Sequence, residues 1–122
     1  MTRGRTSLIP PPPRAQDFFN LLALSPYHMA LAGPAAGAPP LPAVLVCTAD
    51  HDDRVVPLHS FKTVAALQAG AGASPAQARP LLLRVESDAG HGAGKPTAKI
   101  LDESSEVWAF IARETGATWG RA

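Results

Sequence analysis

Apolar and polar positions are ordered along the second part of this chain and unordered along the first. Ala43–Thr48 (AVLVCT) is a continuous apolar run rich in Val, bounded by Pro42 and the polar Asp50–Arg54. A short run that is apolar on both faces predicts a buried parallel strand. Leu58–Gln68 places Leu58, Phe61, Val64, Ala65 and Leu67 near helical spacing. Pro57 precedes it, where a missing N–H costs nothing. Leu81–Val85 (LLLRV) predicts a second strand. Thr97–Glu114 carries the strongest helical pattern, with Ile100, Leu101, Val107, Trp108 and Ile111 on one stripe. Pro96 precedes this helix and Gly116 can end it. Gly70–Pro80 and Asp88–Pro96 read as loops. The order is strand, helix, strand, helix, which is one right-handed βαβ unit and a final helix. Two parallel strands between two helices do not close a core, because such a sheet needs cover on both faces and partners at its edges. The expected fold class is α/β, the C-terminal portion of a larger parallel sheet.

Ahead of this pattern, Met1–Arg14 carries Arg3, Arg5 and Arg14, no acid, and no apolar stretch of signal-peptide length. Pro10–Pro13 forbid a helix and predict a short polyproline II rod. Gln16–Ala23 predicts one or two helical turns with Phe18, Phe19, Leu21 and Leu22 toward a partner surface. The expected organisation is a Pro-rich, disordered or weakly helical segment at 1–23, a linker at 24–42 and the patterned domain at 43–119.

Composition narrows the function classes. The formal net charge is +1, which gives no electrostatic case for nucleic acid or an anionic membrane. No apolar run reaches the length of about 18 residues that a membrane helix needs. The single Cys47 excludes an intramolecular disulfide and a multi-Cys zinc site, and the expected compartment is the reducing cytoplasm. Asp50, His51, Asp52 and His59 lack regular metal-ligand spacing, so no metal is expected. Ala89–Thr97 fails the phosphate-loop pattern at Ala89 and at Pro96, so no nucleotide is expected, and no cofactor of any other kind.

The candidate chemistry lies in two loops that each follow a strand: Asp50-His51-Asp52-Asp53-Arg54 and Gly90-His91-Gly92-Ala93-Gly94-Lys95. In open α/β sheets, sites form at the carboxyl ends of the strands. An acid after one strand and a His after the next is the order of the last two members of an α/β-hydrolase triad, Ser then Asp then His. No serine lies in a G-x-S-x-G motif. On the residues alone, Asp52 also reads as a solvated loop acid, Asp50 and Asp53 as turn-shaping or capping acids. Arg54 also reads as a surface ion-pair partner and His91 as a loop His between flexible glycines. Cys47 reads as a buried inert thiol and Trp108 as a core residue.

At Thr48-Ala49-Asp50-His51-Asp52-Asp53-Arg54-Val55-Val56-Pro57-Leu58-His59-Ser60 and Ala89-Gly90-His91-Gly92-Ala93-Gly94-Lys95-Pro96-Thr97, the chain resembles the C-terminal end of the prolyl oligopeptidases. These are α/β-hydrolase serine peptidases that cut after proline in short peptides. Ser25-Pro26 followed by His28, and Phe110-Ile111-Ala112-Arg113, extend the resemblance to about Leu24–Trp119. It implies that Asp52 is the triad acid, His91 the general base and Arg54 a substrate-binding residue. It also implies short proline-containing peptides as substrates. The nucleophile would come from the missing N-terminal part of the peptidase domain. The alternative is a catalytically inactive α/β fragment that docks on another chain.

Overall fold

The computed structural model describes residues 14–35, 37–92, 95–118 and 120. The expected Pro10–Pro13 rod and Trp119 lie outside them. The elements run α1 (Ala15–Leu24), α2 (Pro26–Ala32), β1 (Val44–Ala49), α3 (Leu58–Ala69), a single 3-10 turn (Ala71–Ala73), β2 (Leu81–Glu86) and α4 (Thr97–Thr115). Both expected strands and both expected helices form, with ends within one residue of the pattern.

β1 and β2 pair in parallel, in a register running from Val44 opposite Leu81 to Ala49 opposite Glu86. Gln77 fixes the entry to β1, because its side-chain amide donates to Leu41 O and accepts from the Leu41 N–H. Side chains alternate between the two faces of the pleat. Val64 and Ala66 of α3 pack down with Leu81 and Ala71, all buried, and Gln68 Nε2 donates to Leu81 O at 2.7 Å. The buried core is completed by Ala49 and Ala89 and contains no side chain larger than leucine.

Two expectations about packing are corrected. Residues 24–42, expected as a linker, contain helix α2. The prolines at 34, 39, 40 and 42 all fall after it, while Pro26 starts it at the one helical position that suits proline. α2 seats on α3: the Lys62 ammonium lies over the Tyr27 ring at 4.9 Å, and Gly70 lets the chains touch. A Cβ at Gly70 would stand 2.1 Å from Ala30 O, which only glycine avoids. The second correction concerns α4: Trp108, expected in the core, is 63% exposed. α4 is held by charge: Arg84 on β2 pairs with Glu106, and Lys95, in the loop that leads into α4, pairs with Glu103. Ile100, Leu101, Trp108 and Ile111 of the apolar stripe of α4 are exposed, Val107 is half-buried, and no residue of α4 is buried. Phe18, Phe19 and Leu21 of α1 are exposed as well, consistent with a helix whose apolar side lacks cover.

Candidate active site

The parallel register places the carboxyl ends of β1 and β2 side by side, and the two motif loops leave from there. The Asp50 N–H donates to Glu86 O and the His51 N–H to Ala89 O, so the ladder continues into the loops. This brings together Asp52 and His91, 39 positions apart in sequence. His91 Nδ1 lies 2.8 Å from Asp52 Oδ2 and 3.1 Å from Oδ1.

Asp52 is held on its own loop by an Asx-type turn. Its Oδ1 accepts from the Val55 N–H at 2.8 Å and the Arg54 N–H at 3.0 Å. The Val55 bond first, then the His91 contact and the Arg54 bond, keep the carboxyl below its ordinary range and outweigh its partial desolvation. An ionised carboxylate only accepts, so the proton of a neutral His91 ring sits on Nδ1, and Nε2 is left with its lone pair. Nε2 has no partner among the described residues. The Asp52 side chain is 11% exposed and the His91 side chain 42%. The acid is thus sheltered and the base faces a shallow cleft of about 260 Å³, lined by Thr48, Ala49, Cys47 and Lys95 as well as by the pair itself.

Glycine matters on the second loop at Gly92, whose φ of 95° no side chain adopts without strain. Gly90 is not under such pressure, since a Cβ there would meet only His51 O at an ordinary 3.7 Å.

Other candidates fall differently. Arg54 contributes its backbone N–H to the Asp52 turn, and its side chain is exposed and does not line the cleft. Among the described residues its guanidinium makes no ion pair, so the alternative reading of Arg54 as a surface partner of Asp50 or Asp53 does not hold. Cys47, expected as a buried thiol, is exposed. It stands on the cleft wall, where charged side chains rather than apolar ones cover that face of β1. Partial desolvation is still the largest influence on the thiol and pushes its pKa up, which disfavours the reactive thiolate. Asp50, His51 and Asp88 bring ligand-type atoms within 4.8 Å of one another, all exposed. The Asp50 oxygens are already engaged by His51 Nδ1 and by the Asp88 and Ala89 N–H groups.

Asp50 is the residue that sequence reasoning undervalues. Its position after a strand suggests a local turn former, but its carboxylate reaches the backbone of the second loop. No side-chain spacing announces this, because the groups it meets are main-chain N–H groups that every sequence possesses.

Comparison with known proteins identifies the family and the fold. The sequence profile of the prolyl oligopeptidase family, peptidase S9, matches residues 2–118. Prolyl oligopeptidase A of Amanita bisporigera is 52% identical over 79 residues, which are 65% of this chain and 10% of that protein. Prolyl endopeptidase of Elizabethkingia miricola is 42% identical over 99 residues, 81% of this chain and 13% of its own length. A solved prolyl endopeptidase superposes with a TM-score of 0.64 at 36% identity, covering 86% of this chain and 14% of that one. This chain therefore spans between a tenth and a seventh of the relatives it matches. Its two strands and the helices around them correspond to part of the α/β-hydrolase fold of these peptidases, and the chain belongs to the prolyl oligopeptidase family.

Proposed function

We propose that this chain carries the acid and the base of a serine-type peptidase that cleaves after proline in short peptides. The observation that carries this reading is the contact of His91 Nδ1 with Asp52 Oδ2 at 2.8 Å, made across the carboxyl ends of two parallel strands. In that role Asp52 holds the imidazole in one tautomer and steadies the imidazolium that forms. His91 Nε2 takes the proton of a serine hydroxyl as it attacks the peptide carbonyl, then returns a proton to the leaving amine. Arg54, one turn beyond the acid, hydrogen-bonds a substrate carbonyl. The nucleophilic serine is supplied by another stretch of polypeptide, since no serine of this chain lies in a G-x-S-x-G turn. Peptide substrates and the larger peptidase domain are the partners this implies. Membership of the family supports the reaction class, and the preference for proline follows the names of the relatives.

Labelling with a serine-directed fluorophosphonate and hydrolysis of a post-proline reporter peptide test the reading. The chain alone should show neither, and joining it to the N-terminal part of a relative's peptidase domain should produce both. Stoichiometric labelling of any serine in the chain alone would refute the assignment of the nucleophile. Absence of turnover in the folded joined protein would refute the roles of Asp52 and His91. A second reading, an inactive fragment that docks on another chain, is favoured by the exposed stripe of α4. It would be upheld by tight association with that N-terminal part without turnover.

A further inference from the structure

Asp50 stands two residues before Asp52 and outside the pair just described. Its carboxylate crosses from the first strand-end loop to the backbone of the second: Oδ2 accepts from the Asp88 N–H at 3.1 Å and Oδ1 from the Ala89 N–H at 3.3 Å. Asp88 has a φ of 49° and is the residue other than glycine found in the left-handed region among those described. Such a conformation persists only where the surroundings hold it. Ala89 is buried, so its N–H would lose its acceptor in a place water reaches poorly. The chain then runs through Gly90 directly to His91, and a displacement of the Asp88–Ala89 turn is carried to the ring. The hydrogen bond of His91 to Asp52 tolerates only a few tenths of an ångström.

We propose that Asp50 is a positioning residue for the Asp52–His91 pair. It clamps the Asp88–Ala89 turn in the conformation that delivers the imidazole to the Asp52 carboxylate. The proposal rests on the acid–base reading of that pair. His51, whose Nδ1 lies 2.7 Å from Asp50 Oδ1, is a solvent-facing neighbour of the clamp; its side chain is 70% exposed.

The test is made on the full 122-residue chain, with histidine side chains labelled for NMR and the hydrogen-bonded Nδ1 proton of His91 as the readout. Asp50→Ala should abolish that signal with far-ultraviolet circular dichroism unchanged. It should speed amide exchange at Asp88 and Ala89 by about tenfold, the scale of one lost hydrogen bond. Asp50→Asn keeps one acceptor oxygen for the two amides and should restore part of the signal. His51→Ala should leave it at the wild-type level. Asp52→Asn reports on the pair itself and should remove the signal. If Asp52→Asn removes it and Asp50→Ala does not, the clamp is refuted and the pair stands. If Asp52→Asn leaves it unchanged, the pair is refuted and the premise of the clamp with it. If Asp50→Ala unfolds the chain, Asp50→Asn decides: a reduced signal supports the clamp, and an unchanged one overturns it.

Discussion

The second strand-end loop runs directly into helix α4, yet the loops and the helix differ in completeness. In the loops, Asp50 and Asp52 between them accept from four backbone N–H groups and two imidazoles. α4 has the clearest amphipathic stripe of the molecule, and Leu101 and Trp108 on it are 61% and 63% exposed. The difference teaches what each kind of contact requires. Hydrogen bonds between loops need only two short segments in register, which one βαβ unit supplies. Burying a helix face needs an apolar surface of comparable width, and the described residues offer α4 a seam of ion pairs instead. Their cations are sheltered, Arg84 at 14% and Lys95 at 10% exposure, while Glu106 and Glu103 stay more open to water.

The largest expected effect tests the loops. In the protein joined to a relative's N-terminal peptidase part, His91→Ala should reduce kcat/KM for a post-proline peptide by about 10⁴–10⁶-fold, the range seen when one triad member is lost. His51→Ala should stay close to the parent. A loss of equal size at His51 would show that the base has been assigned to the wrong histidine, and would break the contrast between the pair and its more exposed neighbour.

Next comes a direct comparison of the finished and unfinished sides. Leu81→Ala, in the buried contact with α3, should cost about 2–5 kcal/mol of unfolding free energy. That is enough to unfold a marginal chain. Leu101→Ala on α4 should change it by less than about 0.5 kcal/mol, as exposed sites do. Urea titration of the isolated chain measures both. In the joined protein the Leu101→Ala cost should rise toward the Leu81→Ala value. An equal cost at the two sites in the isolated chain would show that α4 is already covered.

Arg54 sharpens the picture of what the loops still lack. Its side chain is exposed and unpaired among the described residues, so Arg54→Ala should leave the stability of the chain nearly unchanged. In the joined protein the same change should cost about 1.5–3 kcal/mol of transition-state binding, the scale of one charge-assisted hydrogen bond. Steady-state kinetics alongside thermal unfolding separates the two outcomes.

The smallest effect is one of pH. His51 first, with the Asp88 and Ala89 N–H groups, lowers the Asp50 pKa to about 2, and Asp52 is lowered too. A depressed carboxylate favours the folded loops above its ordinary pKa near 4, and that contribution fades as pH falls toward the folded value. Amide exchange at Asp88 and Ala89 should therefore be steady from neutral pH to about 4 and rise below it, once the intrinsic pH dependence is removed. His51 shifts the other way: its carboxylate neighbour raises its pKa, so its small contribution is full at low pH and is lost as pH rises through the raised value. Solvent screening keeps both effects slight, because Asp50 and His51 are open to solvent.

The elements were legible because each carries its own local signal. AVLVCT can be buried on both faces, Pro57 and Pro96 precede helices, and Gly116 ends α4. Asp52 and His91 were legible through motif resemblance and through their place after consecutive strands. Helix α2 was not, since proline content along 24–42 hid a Pro26 start and an alanine-rich turn. Trp108 and Cys47 were misplaced for a shared reason. An apolar residue in a periodic pattern announces that something covers it, and the pattern does not say whether that cover lies within the same stretch of chain.

By itself, then, the sequence determined the alternation of strand and helix, the α/β class and the choice of Asp52 and His91 as the residues to look for, because periodicity, prolines and motif residues act locally. Tertiary structure decided the rest. It set the parallel register that closes 39 positions to one hydrogen bond, and the Asp50 carboxylate that holds two backbone amides across the loops. It also left the α4 stripe open. Each of these depends on where the main chain and the unrelated face of another element come to lie, and no single segment encodes that.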